Sequence, residues 1–381
     1  MRTAEVIIVG GGVIGVSIAY HLARRGSRGI LLLELEEMLG TGSTGACAGG
    51  FRYQFSSEIH IRLSQLSIPA FLRFREEVGF PLTLHQDGYL FLLTREADVS
   101  LFRESLALQR RLGVPVEWLT PEEAGALIPG LNVTDVLAAT YGPADGIADP
   151  AGVTQGYAAA ARRLGVQIET GSKVTDIRVE GGRVRGVRTR RESIGAPVVV
   201  NAAGPWAGQV ARLAGLELPV RPSRRHVVTT RPFPGAPPRH TLVIDFASTF
   251  YFHRESGGVL FGMSRGEPED FDTSVDPHFL PQIVAAGLRR FPPLGDAELG
   301  RSWAGLYEMT PDAHPILGEA GELPGFFLAN GFSGHGFQHA PAVGLLLSEA
   351  ILEGKATTLA ISPLGLARFA MGPVTAERHV V

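Results

Sequence analysis

The sequence predicts an α/β fold in which a parallel-sheet domain is interleaved with a discontinuous α+β domain built on antiparallel strands. Three observations predict it. The apolar run 6–9 enters the glycine turn Gly10-Gly11-Gly12-Val13-Ile14-Gly15. Short apolar or alternating runs between Pro and Gly breakers crowd residues 218–265. A late apolar run, Phe326-Phe327-Leu328-Ala329, leads into a second glycine-rich turn and an apolar helix.

The first segment reads as a Rossmann-like unit. Gly10, Gly12 and Gly15 permit a tight turn, close backbone approach to a pyrophosphate and close helix–strand packing. The helix that follows, 13–25, points its amino-terminal amides and positive dipole end at the phosphates. Residues 30–33 form the second strand, and Glu34 follows at the spacing of a carboxylate that accepts ribose hydroxyls. An acid there disfavours a 2′-phosphate, hence NADP, but the fingerprint by itself leaves FAD and NAD open. Glu5 and three consecutive glycines argue for a folded strand and turn rather than a signal peptide.

Next comes a loop rich in hydroxyls and backbone donors, Gly42-Ser43-Thr44 to Gly49-Gly50, then a helix over 59–78. A strand pair is expected over 84–93 around Asp87-Gly88, then a helix over 96–112. Thr120 is a natural N-cap with Pro121 at the first helical position. A helix over 151–165, a hairpin over 174–187 around Gly181-Gly182, and a strand over 198–200 entering Asn201-Ala202-Ala203-Gly204-Pro205-Trp206 complete the middle. Antiparallel strands over 225–230, 241–244, 249–253 and 259–263 form a separate sheet. The chain then returns through 303–317, the strand at 326–329 and a helix ending near 353. These elements divide the chain into one domain of residues 1–83, 151–217 and 301–371 and another of 84–150 and 218–300. A tail, 372–381, is expected to be disordered.

With 381 residues, 45% hydrophobic and 19% charged, the chain can bury a large core in two domains. A net charge of −3 gives no electrostatic reason to expect nucleic acid or an anionic membrane. No stretch is apolar enough to span a bilayer. The single cysteine, Cys47, excludes an intramolecular disulfide and metal sites built on several cysteines, consistent with a reducing, cytoplasmic setting. His21, His60, His226 and His339 show no metal-binding pattern. Lysine occurs only at Lys173 and Lys355.

Together the amino-terminal fingerprint, Gly42-Ser43-Thr44, Asn201-Ala202-Ala203-Gly204-Pro205-Trp206-Ala207 and Gly331-Phe332-Ser333-Gly334-His335-Gly336 resemble the D-amino-acid oxidase class of FAD-dependent oxidoreductases. Thr310-Pro311-Asp312 and Pro315-Ile316-Leu317-Gly318 extend the likeness, which is to the sarcosine oxidase, glycine oxidase, proline and dimethylglycine dehydrogenase relatives. The resemblance implies FAD rather than NAD. It implies a cofactor-binding set of Gly10, Gly12, Val13, Ile14, Gly15, Glu34, Leu35, Gly42, Ser43, Thr44, Gly49, Gly50, Val174, Ala203, Gly204, Trp206, Gly305, Gly331, Gly334, His335, Gly336, Phe337 and Gln338. Within it, Ser43 and Thr44 would hold pyrophosphate, Val174 would lie near the adenine, and the closing turn would bring amides to the flavin pyrimidine.

The implied chemistry is removal of a hydride equivalent from a carbon bearing an amine, giving an imine. The chain departs from these relatives at the substrate. Gln338 stands where monomeric sarcosine oxidases have a carboxylate-binding lysine, and Tyr307 where glycine and D-amino-acid oxidases have an arginine. Arg52 matches the remaining carboxylate-binding arginine of the sarcosine oxidases, with Tyr251, Tyr307 and Gln338 as secondary contacts. His335 and His253 are candidates for a base or an oxygen-site charge. A cysteine near Gly305 and a histidine within 147–152, the attachment points of covalent flavin in relatives, are absent, so FAD is expected to be noncovalent. The strand 259–263 lacks the oxygen-activating lysine of sarcosine oxidases, which favours a dye, quinone or partner flavoprotein over oxygen as acceptor.

Three readings follow. The chain oxidises a small amino acid, by preference a secondary one, such as sarcosine, proline or glycine; or it is the FAD-bearing subunit of a heteromeric dehydrogenase passing electrons to a partner or quinone; or it is an NAD-linked dehydrogenase.

Overall fold

The structure, a computed structural model, describes residues 2–265, 269–372 and 375–381. Two sheets organise it. A six-stranded sheet has the order Gln167–Glu169, Ile30–Leu33, Val6–Val9, Val198–Asn201, Phe326–Asn330, Ile316–Glu319. The first five strands run parallel and the last is antiparallel. Val6–Val9 and Ile30–Leu33 are buried along their whole length, as continuous apolar strands covered on both faces must be.

One face takes Val6, Ile8, Ile30 and Leu32 against helices Val13–Arg24 and Gly336–Glu353. The other takes Ile7, Val9, Leu31 and Leu33 against a smaller sheet that includes Val174–Glu180 and Arg183–Thr189. Gly181 and Gly182, at φ +59° and +73°, make the expected hairpin turn between those two strands.

An eight-stranded sheet has the order Leu299–Met309, Arg221–Thr230, Gly258–Met263, Phe250–Glu255, Leu242–Asp245, Tyr89–Leu93, Ala138–Gly142, Glu117–Leu119. Its pairs are antiparallel except Leu242–Asp245 beside Tyr89–Leu93. The period of two divides its side chains. Leu90 and Leu92 pack with Ile283 of helix Leu280–Arg290, whereas Tyr89, Phe91 and Leu93 join Leu242 and Ile244 on the opposite face.

Four expectations change. The strand pair over 84–93 is not a hairpin: Leu84–His85 pairs with Gly146–Ala148 in a three-stranded sheet, while Tyr89–Leu93 enters the large one. The Gly88 amide donates to Asp145 O, so long-range pairing replaces the local turn. The helix over 59–78 is two helices, Glu58–Leu72 and Phe74–Val78, with Pro69 inside the first and a break at Arg73. A boundary at 301 would cut a strand, because Leu299–Met309 pairs along its length with Arg221–Thr230. Residues 375–381 are not a disordered tail: Glu377 and His379 are buried, held by polar contacts that a loop signal in the sequence does not reveal.

Candidate active site

Two features make up the candidate site. At the carboxyl end of Val6–Val9, the Gly10-to-Gly15 turn opens helix Val13–Arg24, whose Gly12 N-cap supplies no side chain. Thr44 Oγ1 accepts from the Val13 amide at 3.2 Å, while the Ile14 and Gly15 amides find no acceptor among the described residues. A side chain at Gly10 would strike Ala202 O at 2.3 Å, so glycine alone lets the turn close on the Ala202-Ala203 segment. Space over Gly204, at φ +54°, is open within 4 Å. Glu34 accepts from the Gly11 amide at 2.5 Å and the Glu36 amide at 2.8 Å, which aims its carboxylate back at the turn. Leu35 is 46% exposed beyond it, and Val174 is buried behind the sheet. A Cβ added at Gly42 would lie 3.8 Å from the Trp206 ring.

The second is a cleft with about 810 Å³ of empty space, part of it open to solvent. Among the sequence candidates it is lined by Ser43, Gly49, Gly50, Arg52, Tyr251, Gly305, Tyr307, Gly334, His335, Phe337 and Gln338. Close approach explains the glycines: an added Cβ would lie 2.3 Å from the Tyr307 ring at Gly334 and 2.6 Å from Ala46 at Gly305. Gly331 does not line it; its amide donates to Glu308 Oε2 at 2.9 Å, beneath the closing turn. Burial pushes the Glu308 carboxyl up to about 7, against the pull of the Gly331 and Phe332 amides. The amides of Gly336, Phe337 and Gln338, at the start of an 18-residue helix, find no acceptor among the described residues.

Arg52 is 3% exposed. It donates from Nη2 to His379 O at 2.5 Å, from Nη1 to Gln54 O, and its Nη2 lies 3.1 Å from His335 Nε2. The guanidinium sits 4.0 Å from the Phe55 ring centre. Among the described residues no carboxylate pairs with it, and although burial lowers its pKa a guanidinium stays charged at neutral pH. Burial and this neighbouring cation hold His335 well below its ordinary value, so the ring is neutral. Gln338 Oε1 accepts from the Arg52 amide at 2.8 Å and so holds the backbone of that arginine.

Sequence reasoning missed Arg225, Tyr89, Cys47 and Val381 as cavity residues. The Arg225 guanidinium lies 4.6 Å over the Tyr307 ring. It sits on the alternating face of Arg221–Thr230 that also presents Val227, a period-two signal that could have found it. Burial lifts the Cys47 thiol to about 11, so it is a neutral lining group. His253, expected as a base or a solvent-facing sheet residue, is buried, and its Nδ1 contacts Arg254 O at 2.7 Å. Lys173 and Lys355 are exposed and do not line the cavity. The described residues also gather His85, Asp87 and His240. The two rings stack at 3.6 Å and 9°, so their in-plane nitrogen lone pairs do not converge on one ion.

An open glycine turn with two unpartnered helix amides fits a pyrophosphate, and Glu34 fits a ribose. A glycine-lined cavity edged by three unpartnered amides fits the electron-rich edge of a flavin. Fold and site thus define a flavoprotein oxidoreductase with a nucleotide sheet and an antiparallel sheet facing a shared cavity.

Comparison with known proteins agrees: the chain belongs to the family described as "DAO: FAD dependent oxidoreductase", which matches residues 5–350. Its fold is that of L-proline dehydrogenase from P. horikoshii, at a TM-score of 0.92 and 34% identity over 98% of this chain and 99% of that one. It is 32% identical to FAD-dependent oxidoreductase domain-containing protein 1 of Xenopus laevis, over 99% of this chain and 85% of that protein. It is likewise 32% identical to the mitochondrial dimethylglycine dehydrogenase of Mus musculus, over 92% of this chain but only 43% of that protein. The chain is an FAD-dependent oxidoreductase of this amino-acid-oxidising family. Among the described residues, no helix is long and apolar enough to cross a membrane.

Proposed function

We propose that this chain oxidises the C–N bond of a small α-amino acid, preferentially a secondary amine such as sarcosine or proline, to an imine. The observation that carries the reading is Arg52: a buried cation on the cavity wall whose partners are carbonyls and a neutral histidine rather than a carboxylate. Such a charge is costly unless an anion joins it, and a substrate carboxylate is the complementary group.

Bound FAD supplies the hydride acceptor. The residues around it position the amino acid. Arg52 anchors the carboxylate, and Tyr89, Tyr251 and Tyr307 confine the carbon skeleton and displace water. Burial raises the pKa of all three phenols, so they stay protonated and act as hydrogen-bond groups. FAD is held without a covalent bond, since neither a cysteine near Gly305 nor a histidine within 147–152 is present to attach it. With no lysine on the cavity wall, electrons leave to a dye, quinone or partner protein faster than to oxygen.

The test is anaerobic bleaching of the flavin by sarcosine, L-proline, glycine, D-alanine and dimethylglycine, followed by air. Bleaching by one of them with slow return of colour is expected. No bleaching by any of the five rejects the substrate class, and return of colour at the turnover rate rejects the proposed acceptor.

A further inference from the structure

Residues 375–381 pack beside the cavity and reach it at Val381. His314 Nε2 meets Thr375 O at 3.0 Å, and the Glu377 amide donates to Asp312 O at 3.0 Å, so the segment starts on the nucleotide side. It then crosses the amino end of helix Glu58–Leu72. There Glu377, 3% exposed, accepts from the Ser56 amide and hydroxyl at 2.9 and 2.7 Å and from the Ser57 amide and hydroxyl at 2.9 and 2.6 Å. His60 Nδ1 lies 3.3 Å away. Ser57 is the N-cap of that helix but caps nothing with its own side chain, so Glu377 supplies the negative group at the helix start.

Two residues on, the His379 ring is fully buried, stacked on Phe102 at 4.0 Å and 8°, with Nε2 3.0 Å from Ser105 Oγ. These contacts fix the His379 carbonyl, which accepts a hydrogen bond from Arg52 Nη2 at 2.5 Å. Val381 reaches the cavity itself.

We propose that this segment is part of the substrate site: Glu377 is a positioning residue that, through the His379 carbonyl, aims Arg52 at a carboxylate, and Val381 limits the size of the acid admitted. The proposal rests on the functional reading above, in which Arg52 anchors an anion. Atoms of the segment replace solvent on one side of the guanidinium, and Arg52 itself lines the cavity.

The test uses flavin-loaded protein and a non-oxidisable acid, pyrrole-2-carboxylate, with pyrrole-2-carboxamide as the uncharged control, read by the perturbation of the flavin spectrum. The His379 amide also donates to Glu377 Oε1 at 2.8 Å. Glu377→Gln cannot accept these five donors as a carboxylate does. It is expected to weaken the acid by about tenfold or more while leaving the amide's affinity in place. Glu377→Asp is expected to recover part of the loss. Unchanged affinity in a flavin-replete Glu377→Gln, equal weakening of acid and amide, or no binding of the acid to the wild type overturns the proposal. If Glu377→Gln does not fold, Val381→Gly decides: it is expected to improve indole-2-carboxylate relative to pyrrole-2-carboxylate by about tenfold, and an unchanged ratio overturns the proposal. Bleaching of the wild type by amino acids is scored separately, so failure of the functional reading is distinguishable.

Discussion

Arg52 concentrates the electrostatics of the site in one side chain. A guanidinium has five N–H groups, and only some are used by Gln54 O, His379 O and His335. Arg52→Lys keeps the charge and loses the fork. It is expected to raise KM for the amino acid by roughly a hundredfold, the equivalent of about 3 kcal/mol in charge-assisted hydrogen bonding, with FAD content retained. Steady-state kinetics with flavin absorbance check it. Glu308 acts at the same scale but on stability. Burial raises its pKa from 4.5 to about 7, so the native state binds a proton that the unfolded chain has released. Its contribution therefore falls as pH rises from about 4.5 to 7 and is level above that. Glu308→Gln is expected to flatten this part of the melting-temperature curve relative to wild type; parallel curves would contradict the assignment.

Among the elements, the closing turn and the short caps differ in what they control. Gly334 sits at φ +90° with the Tyr307 ring where a Cβ would go. Gly334→Ala is expected to push Tyr307 into the cavity, costing about 1–3 kcal/mol in strain and changing the flavin spectrum along with activity. Thr120, by contrast, forms a capping box with Glu123 far from the cavity. Thr120→Ala is expected to cost about 1 kcal/mol in denaturant unfolding and leave kcat/KM unaltered. This cap and its proline were legible because they depend on residues a few places apart. The supposed hairpin over 84–93 was not, because the partners of its two halves, Gly146–Ala148 and Leu242–Asp245, lie far along the chain.

For the whole molecule, the cavity exists only where the two sheets meet. Ser43 Oγ donates to Leu306 O at 2.6 Å and Trp303 Nε1 to Ala46 O at 3.1 Å, tying the loop after the second strand to the large sheet. FAD held by the glycine turn and the cavity residues would bind the native state and not the unfolded chain, so its removal is expected to lower the melting temperature. At a free concentration one hundred times Kd the linkage is worth about 2.7 kcal/mol. Scanning calorimetry of apo and reconstituted protein measures it, and equal melting temperatures would contradict preferential binding of the flavin to the native state.

The sequence by itself determined the parallel nucleotide sheet, the glycine turn, Glu34, the antiparallel strands and the family. Each is written in local periodicity or in a motif whose spacing has one physical use. Arg52 was also legible, though only through a motif position. What the tertiary structure alone decided is the company Arg52 keeps. The His379 carbonyl, held through Glu377, reaches it from more than three hundred residues away, and a polar tail carries no local sign that its carboxylate will find five donors. Arg225 and Tyr89 enter the cavity for the same reason: strand register sets which face each side chain takes, and register is settled by pairing between distant strands.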